Sequence, residues 1–304
     1  MANVKKYNEF VKAYPGVIKR RVPLSRYCTF KIGGPADLLI EAKNPTQLVE
    51  IIKLAHRLKL RYLVIGAASN LLFDDAGFRG LVIRYIANDV EVDKTAGYAM
   101  AWGGCILNRL VKHAAMYNLG GIDFLANIPG SVGGAIVGNA GCYGRTITDT
   151  LLDVDLFNAK AGEVYTVSPN ELCVAYRGSE LKTKPHLIVL SARFKLVPDS
   201  KSRILKAIEE EKRLRWSKHP RAACAGSFFK NPPGEAAWRL IDEAGMRGAT
   251  VGGARISTKH TNFLINIGGA KARNVRKLSA KVIEAVKKRF GTTLEPEIRY
   301  ISAE

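Results

Sequence analysis

Cysteine is sparse in this 304-residue chain and never paired. Cys28, Cys105, Cys142, Cys173 and Cys224 stand singly, with no Cys-x-x-Cys, so neither a disulfide framework nor a zinc site is indicated. The five histidines lack His-x-x-x-His spacing, and no metal site is expected. No apolar run reaches the roughly 18 residues that span a membrane. Met1 to Phe10 are polar and charged, without the basic-then-apolar pattern of a secretion signal. The expectation is a cytoplasmic protein that does not engage membrane. Acidic residues are also scarce: 27 Asp and Glu face 47 Lys and Arg, a formal charge of +20. That balance points to anionic partners. No nucleic-acid module accompanies it, neither an aromatic-interleaved RNA-binding pattern nor a zinc finger. The basic runs Lys271–Lys277 and Lys287–Arg289 are read as a solvated helix face.

What the chain does have is glycine in one place. Gly130, Gly133, Gly134, Gly138, Gly141 and Gly144 punctuate residues 128–144, interleaved with Val132, Ala135, Ile136 and Val137. Glycine permits positive φ and close approach of main chain to a neighbour. The interleaved apolar residues argue against a flexible linker. The segment has no Gly-x-Gly-x-x-Gly spacing, which disfavours a Rossmann turn. No Gly-Lys-Ser/Thr follows it, which disfavours a P-loop. A surface of main-chain N–H groups facing an anion or a flat ring is the remaining reading.

The 47% apolar content and the length suit a globular protein of two or three domains. Phe30–Ile32 reads as extended, closed by Gly33-Gly34-Pro35, and Asp37–Ala42 as a strand. Asn44-Pro45-Thr46-Gln47 opens a helix, with Asn44 as N-cap, Pro45 at N1 and an apolar stripe through Leu48, Ile51, Ile52, Ala55 and Leu58. Tyr62–Ile65 and Leu81–Arg84 are strands flanking the small-residue turn Gly66-Ala67-Ala68-Ser69-Asn70, and a helix covers Ile106–Tyr117. Leu151–Phe157 and Glu163–Val167 read as paired strands, and His186–Leu196 as a third. A charged helix spans Ile204–Trp216, with a domain boundary near Pro198. Later come a helix at Ala236–Ala244 with Gly245 beyond it, and strands at Arg255-Ile256 and Phe263–Ile267. A long helix from Val275 to Phe290 stops at Gly291, and a closing strand covers Glu297–Ile301.

Three short stretches could carry chemistry. Ala225–Pro232 brings Ser227, Lys230 and Asn231 into one turn-rich segment, although Ser after Gly is commonly turn chemistry. No Gly-x-Ser-x-Gly elbow is present, so nucleophilic hydrolysis is disfavoured. Tyr176-Arg177-Gly178-Ser179 offers an arginine that either clamps a carboxylate or phosphate bidentately or makes a surface salt bridge. In Leu294–Tyr300, strand alternation puts Glu295, Glu297 and Arg299 on one face. That arrangement suits a structural Glu–Arg pair, or a poised acid at Glu297.

These segments, in this order and with Thr29–Asp37, Phe78-Arg79-Gly80, Leu240–Gly245, Gly252-Gly253-Ala254 and Lys259-His260, resemble the UDP-N-acetylenolpyruvoylglucosamine reductase family, in its shorter type. The resemblance runs from about Pro23 to Ile301. It implies an α+β protein. A two-subdomain FAD-binding region of the vanillyl-alcohol-oxidase (PCMH) type would occupy residues 23–198 after a lead segment, 1–22, and an α+β substrate domain would occupy 199–304. It implies non-covalent FAD held by Gly66, Ala67, Ala68, Ser69, Asn70 and Leu71. Pro129, Gly130, Ser131, Gly133, Gly134, Gly138, Asn139, Ala140 and Gly141 would complete that seat. NADPH would be the electron donor and a UDP-linked enolpyruvyl amino sugar the substrate, reduced to UDP-N-acetylmuramate for peptidoglycan synthesis. Arg177 would polarise the enolpyruvyl carboxylate, Ser227 deliver the proton and Glu297 complete the catalytic set, with Tyr176, Lys230 and Asn231 at the substrate. A monomer is favoured.

The family turn reads Gly-x-Gly-Ser-Asn, whereas here Ala68 replaces its second glycine. If Ala68 adopts positive φ, the cost is about 1–2 kcal/mol. A valine at Gly133 or Gly134 is expected to intrude on the flavin. Two other readings share the fold: a superfamily oxidase acting on an alcohol, and a basic binding protein without catalysis. The first lacks support from any histidine near the Ser69-Asn70 turn or the glycine-rich segment.

Overall fold

Asn44 does what its position predicts. Its side chain accepts from Gln47 N at 2.8 Å, and Pro45 starts the helix Pro45–Arg57. Losing such a cap costs about 1 kcal/mol. The structure, a computed structural model, describes residues 2–304; Met1, the first residue of the expected lead segment, lies outside them. Among the described residues, no helix is long and apolar enough to cross a membrane.

The chain divides into two compact units. The first comprises residues 1–20, 38–67 and 80–213; the second comprises 21–37, 68–79 and 214–304. Each is therefore discontinuous. Val197-Pro198, near the expected boundary, pairs with Leu119-Gly120 inside the first unit.

The first unit holds two sheets. In one, residues 38–42, 80–85 and 62–65 lie side by side in that order, and the last two run parallel with Tyr62 opposite Leu81. The helix Pro45–Arg57 buries Leu48, Ile51, Ile52 and Ala55 in a core with Leu38, Ile40, Leu81 and Ile83. A strand–helix–strand crossover of this kind needs apolar faces on both partners. The second sheet has the order Glu163–Val167, Leu151–Asn158, Leu187–Lys195, Tyr98–Trp102, Val90–Asp93, all antiparallel. The helices Leu107–Met116 and Val132–Val137 bury Leu110, Val111, Ala135 and Ile136 in its core, with Val154, Leu156 and Phe194.

The second unit contains a four-stranded antiparallel sheet in the order Ala223-Cys224, Leu264–Asn266, Ala254–Ile256, Thr250-Val251. The helices Ala237–Glu243 and Ala272–Phe290 belong to it. Val275, Leu278, Val282 and Val286 form the buried stripe of the longer helix, which ends at Gly291 with φ +72°. Its first N–H groups, those of Ala272 and Arg273, donate to the carboxylate of Asp75 at 2.6 and 3.1 Å. An anion there satisfies orphan donors and complements the helix dipole. Leu71–Phe73 pairs in parallel with Arg299–Ile301.

Two expectations are corrected. Phe30–Ile32 is not a strand, because Lys31 takes φ +56°, which turns the chain. The closing strand begins at Arg299, so strand alternation does not order Glu295, Glu297 and Arg299.

Candidate active site

In the first unit the glycine-rich segment is a six-residue helix, Val132–Val137, capped by Ser131, whose Oγ accepts from Gly134 N at 3.4 Å. The segment is laced to the preceding loop. Val132 N donates to Cys105 O, Gly133 N to Gly103 O, and Leu107 N to Gly130 O, at 2.8, 2.8 and 3.1 Å. Gly66 must lack a side chain here, since a Cβ would sit 2.0 Å from Ser131 Oγ. The expected effect of valine differs between neighbours. A Cβ on Gly133 would point inward, 3.1 Å from Gly103 O and 3.4 Å from the Val189 side chain, whereas one on Gly134 would meet only Ser131 Oγ, at 3.4 Å. A valine at 133 therefore presses on the main chain of Gly103.

Past Gly138 the chain turns at Asn139, with φ +42°, then makes the two-residue ladder Gly141-Cys142 with Arg145-Thr146. Arg177 lies in a tight turn closed by Ala175 N to Gly178 O at 2.9 Å and Gly178 N to Ala175 O at 3.2 Å. Its φ is +59°, a left-handed conformation that costs a non-glycine residue energy and concentrates at functional sites. Its Nη1 donates to Gly141 O at 2.8 Å. The side chain thus reaches a main-chain carbonyl. Tyr176 beside it is 58% exposed, with the guanidinium 5.5 Å from its ring centroid.

The second unit assembles Ser227 and Glu297 through main chain. Glu297 N donates to Phe228 O at 2.8 Å, Lys230 N donates to Glu295 O at 2.9 Å, and Phe229 bridges Pro296. The segment after Ser227 therefore runs beside the one containing Glu297. Ser227 is half-buried and follows Gly226, whose φ of +81° admits the turn. Glu295 forms an ion pair with Lys230 at 3.0 Å, in place of the Glu–Arg pair the sequence suggested. The Asn231 amide oxygen accepts from Ala237 N at 3.0 Å at the start of the next helix, leaving its NH2 group available. From the Gly66–Leu71 turn, Asn70 joins this ladder: its Nδ2 donates to Glu297 O at 3.2 Å, and its carbonyl accepts from Arg299 N at 2.9 Å.

Ala68 adopts φ +48° and is 8% exposed. Among the described residues its N–H has no hydrogen-bond partner. A nearly buried N–H without a partner costs free energy unless something else accepts from it. An anion at this turn would do so, which is how the main chain here fits a pyrophosphate.

Behind the ladder of the second unit stands Asn262, which was not among the residues expected at the site. It is 4% exposed, and its amide pairs both ways with Phe229: Phe229 N to Oδ1 and Nδ2 to Phe229 O, both 2.9 Å. Its carbonyl accepts from Phe228 N at 2.8 Å. Around it stand His260, Phe263 and His219, whose ring stacks on Phe263 at 4.9 Å and meets His260 edge-on at 5.1 Å. Burial, with the charge of Arg215 second, pushes the His219 pKa down to about 4, and burial lowers that of His260. The place of Asn262 just ahead of the strand Leu264–Asn266 left no signal in the sequence.

Residues 36–168 match the FAD binding domain family, and residues 218–301 match the C-terminal domain of UDP-N-acetylenolpyruvoylglucosamine reductase. The reductase of Carboxydothermus hydrogenoformans is 40% identical over 99% of both chains. That of Agathobacter rectalis is 41% identical over 92% of both. The chain belongs to the UDP-N-acetylenolpyruvoylglucosamine reductase family. The crystal structure of the Thermus caldophilus reductase superposes with a TM-score of 0.78 at 36% identity, covering 93% of this chain and 98% of that one. Membership of this reductase family brings the α+β architecture with an FAD-binding domain, and with it FAD as cofactor and NADPH as reductant.

Proposed function

We propose that this protein reduces the enolpyruvyl group of a UDP-linked amino sugar and that Arg177, Ser227 and Glu297 carry the step. The activity is that of an FAD-dependent UDP-N-acetylenolpyruvoylglucosamine reductase, serving peptidoglycan precursor synthesis. The observation that carries the residue assignment is the ladder that holds the Ser227 segment against that of Glu297.

FAD, when bound, would supply the redox chemistry, a hydride (two electrons with one hydrogen, drawn from NADPH) for the β-carbon of the substrate's enol ether. Negative charge then develops at the α-carbon and spreads into the carboxylate. Arg177 stabilises it as a cation whose direction is set in advance by Gly141 O, and a preorganised donor of this kind needs no reorientation as charge appears. The Ser227 hydroxyl delivers the proton to the α-carbon. A hydroxyl is a weak acid in water, but an enolate-like carbon is basic enough to take its proton when the two are positioned. Glu297 supports that transfer, its main chain fixed to Phe228. Lys230, tethered by Glu295, and the Asn231 NH2 group hold substrate oxygens, with Tyr176 beside Arg177. Gly66 to Leu71 and the segment from Pro129 to Gly141 would hold the cofactor's phosphates and ring, and the N–H of Ala68 supports that reading. The excess of Lys and Arg suits ligands that are all polyanions. The same reading takes the enzyme as a cytoplasmic monomer.

Stopped-flow spectroscopy of the two half-reactions tests this. Ser227→Ala should leave flavin reduction by NADPH intact and slow reoxidation by substrate at least about 10²-fold, as expected for loss of a positioned acid. Arg177→Lys should slow the same step, because an ammonium does not reproduce a planar fork on a carboxylate. A Ser227→Ala enzyme slowed only in the NADPH step would assign Ser227 to nicotinamide positioning.

A further inference from the structure

The turn that carries Arg177 is fastened at alternate residues, 137, 139 and 141, of the segment leaving the glycine-rich helix. Ser179 Oγ donates to Val137 O at 3.0 Å, Asn139 Nδ2 donates to Ala175 O at 3.1 Å, and Arg177 Nη1 donates to Gly141 O at 2.8 Å. The third bond fixes only the tip of the arginine. The first two fix the base of its turn.

Asn139 is the least replaceable of these groups. It is 5% exposed and left-handed at φ +42°, a conformation asparagine tolerates better than most residues. Its amide is used at both ends: Nδ2 gives to Ala175 O, and Oδ1 accepts from Thr148 Oγ1 at 3.0 Å. Thr148 Oγ1 also lies 3.0 Å from Thr146 Oγ1. Aspartate would offer Ala175 O no donor, and alanine would offer neither group. The main chain of Asn139 thus belongs to the glycine-rich segment and its side chain to the arginine turn.

We propose that Asn139, oriented by Thr148, is a positioning residue that makes the cofactor segment and the Arg177 turn one mechanical unit, so that FAD seating sets where Arg177 presents its guanidinium. This rests on the assignment of Arg177 to the substrate carboxylate and of residues 129–141 to the cofactor. The consequence is that binding FAD protects the amides of residues 175–179, and that cutting the Thr148–Asn139–Ala175 chain uncouples the two.

The test uses the FAD-loaded enzyme and three variants, Thr148→Val, Thr148→Ser and Asn139→Ala, with flavin content measured for each. Hydrogen exchange of residues 175–179 is followed with and without FAD, beside both half-reactions. Thr148→Val and Asn139→Ala should lose the FAD-dependent protection, raise the KM for the enolpyruvyl substrate and slow reoxidation by about tenfold relative to the NADPH step, the scale of one lost positioning hydrogen bond. Thr148→Ser keeps the hydroxyl and should recover all three. Wild-type protection in Thr148→Val and Asn139→Ala overturns the proposal. So does lost protection with reoxidation unchanged, provided Arg177→Lys is slow. Unchanged reoxidation in Arg177→Lys defeats the carboxylate assignment instead, so the two failures are told apart.

Discussion

The two units hold their candidate catalytic residues by different means. In the first, Arg177 sits on a left-handed residue, near three others of that kind, Asn139, Tyr143 and Cys173, and side chains tie the pieces together. In the second, Ser227 and Glu297 are set by a main-chain ladder backed by one buried amide, Asn262. Side-chain ties over strained backbone are local, and one can be cut while the sheet beneath persists. A ladder backed by a buried amide belongs to the core, and its loss is felt as stability. Position is adjustable in the first unit and inherited from folding in the second.

The largest effect that would break this contrast is at Asn262. Replacing it by alanine leaves Phe229 N–H and C=O buried without partners, a cost of about 2–4 kcal/mol. Urea denaturation should show that loss, while Thr148→Val should cost well under half as much. Equal losses would erase the distinction between the units.

The next concerns pH. His219 has its folded pKa lowered to about 4, against an ordinary value near 6.5, because burial disfavours the charged ring and Arg215, His260, Lys218 and Lys259 repel it. Between those two pH values the unfolded chain binds the proton and the folded one does not, so stability falls as pH drops from about 6.5 towards 4. Thermal melts at pH 7 and pH 5 should show a lower Tm at pH 5, and His219→Gln should shrink that difference. A wild-type Tm insensitive to pH over this window would show that the ring is not held neutral.

The smallest effect is at Ala68. Glycine there relieves left-handed strain of about 1–2 kcal/mol, partly offset by the greater freedom of the unfolded chain, for a net gain under about 1 kcal/mol. Strain present with and without ligand cancels in a binding constant. Ala68→Gly should therefore raise apoprotein stability while FAD affinity, read by fluorescence titration, barely changes. A clear tightening of FAD would mean that the methyl group itself crowds the pyrophosphate.

Elements with local signals were legible in the sequence. Asn44-Pro45 and Gly291 mark helix ends through interactions within a few residues, and the structure places those ends as read. The strands Leu151–Asn158 and Glu163–Val167 pair across a short connection, also as read. Val90–Asp93 and Tyr98–Trp102 went unread because the first alternates over only four residues and the second has no polar member to show a face; the strand Leu187–Lys195, far along the chain, pairs with the second of them. Lys31 defeated an extended reading because a left-handed lysine leaves no trace in composition. The stretches carrying Arg177, Ser227 and Glu297 were visible as clusters of reactive types, and their family resemblance supplied the roles. Asn262 and the Asn139–Thr148 pair were not visible, since their meaning lies in bonds to residues 33 and 36 positions away.

Asp75 caps a helix that begins 197 residues later in the chain. A ribosome adding roughly 5–20 residues per second would leave the segments 21–37 and 68–79 waiting for tens of seconds before residues 214–304 emerge to complete their unit. During that interval buried side chains such as Phe30, Leu72 and Phe73 have no core of their own to enter. Birth order and architecture are thus at odds in the second unit. The stretch matched by the C-terminal family, 218–301, would likewise emerge as a fragment short of two of its own pieces if it were made alone.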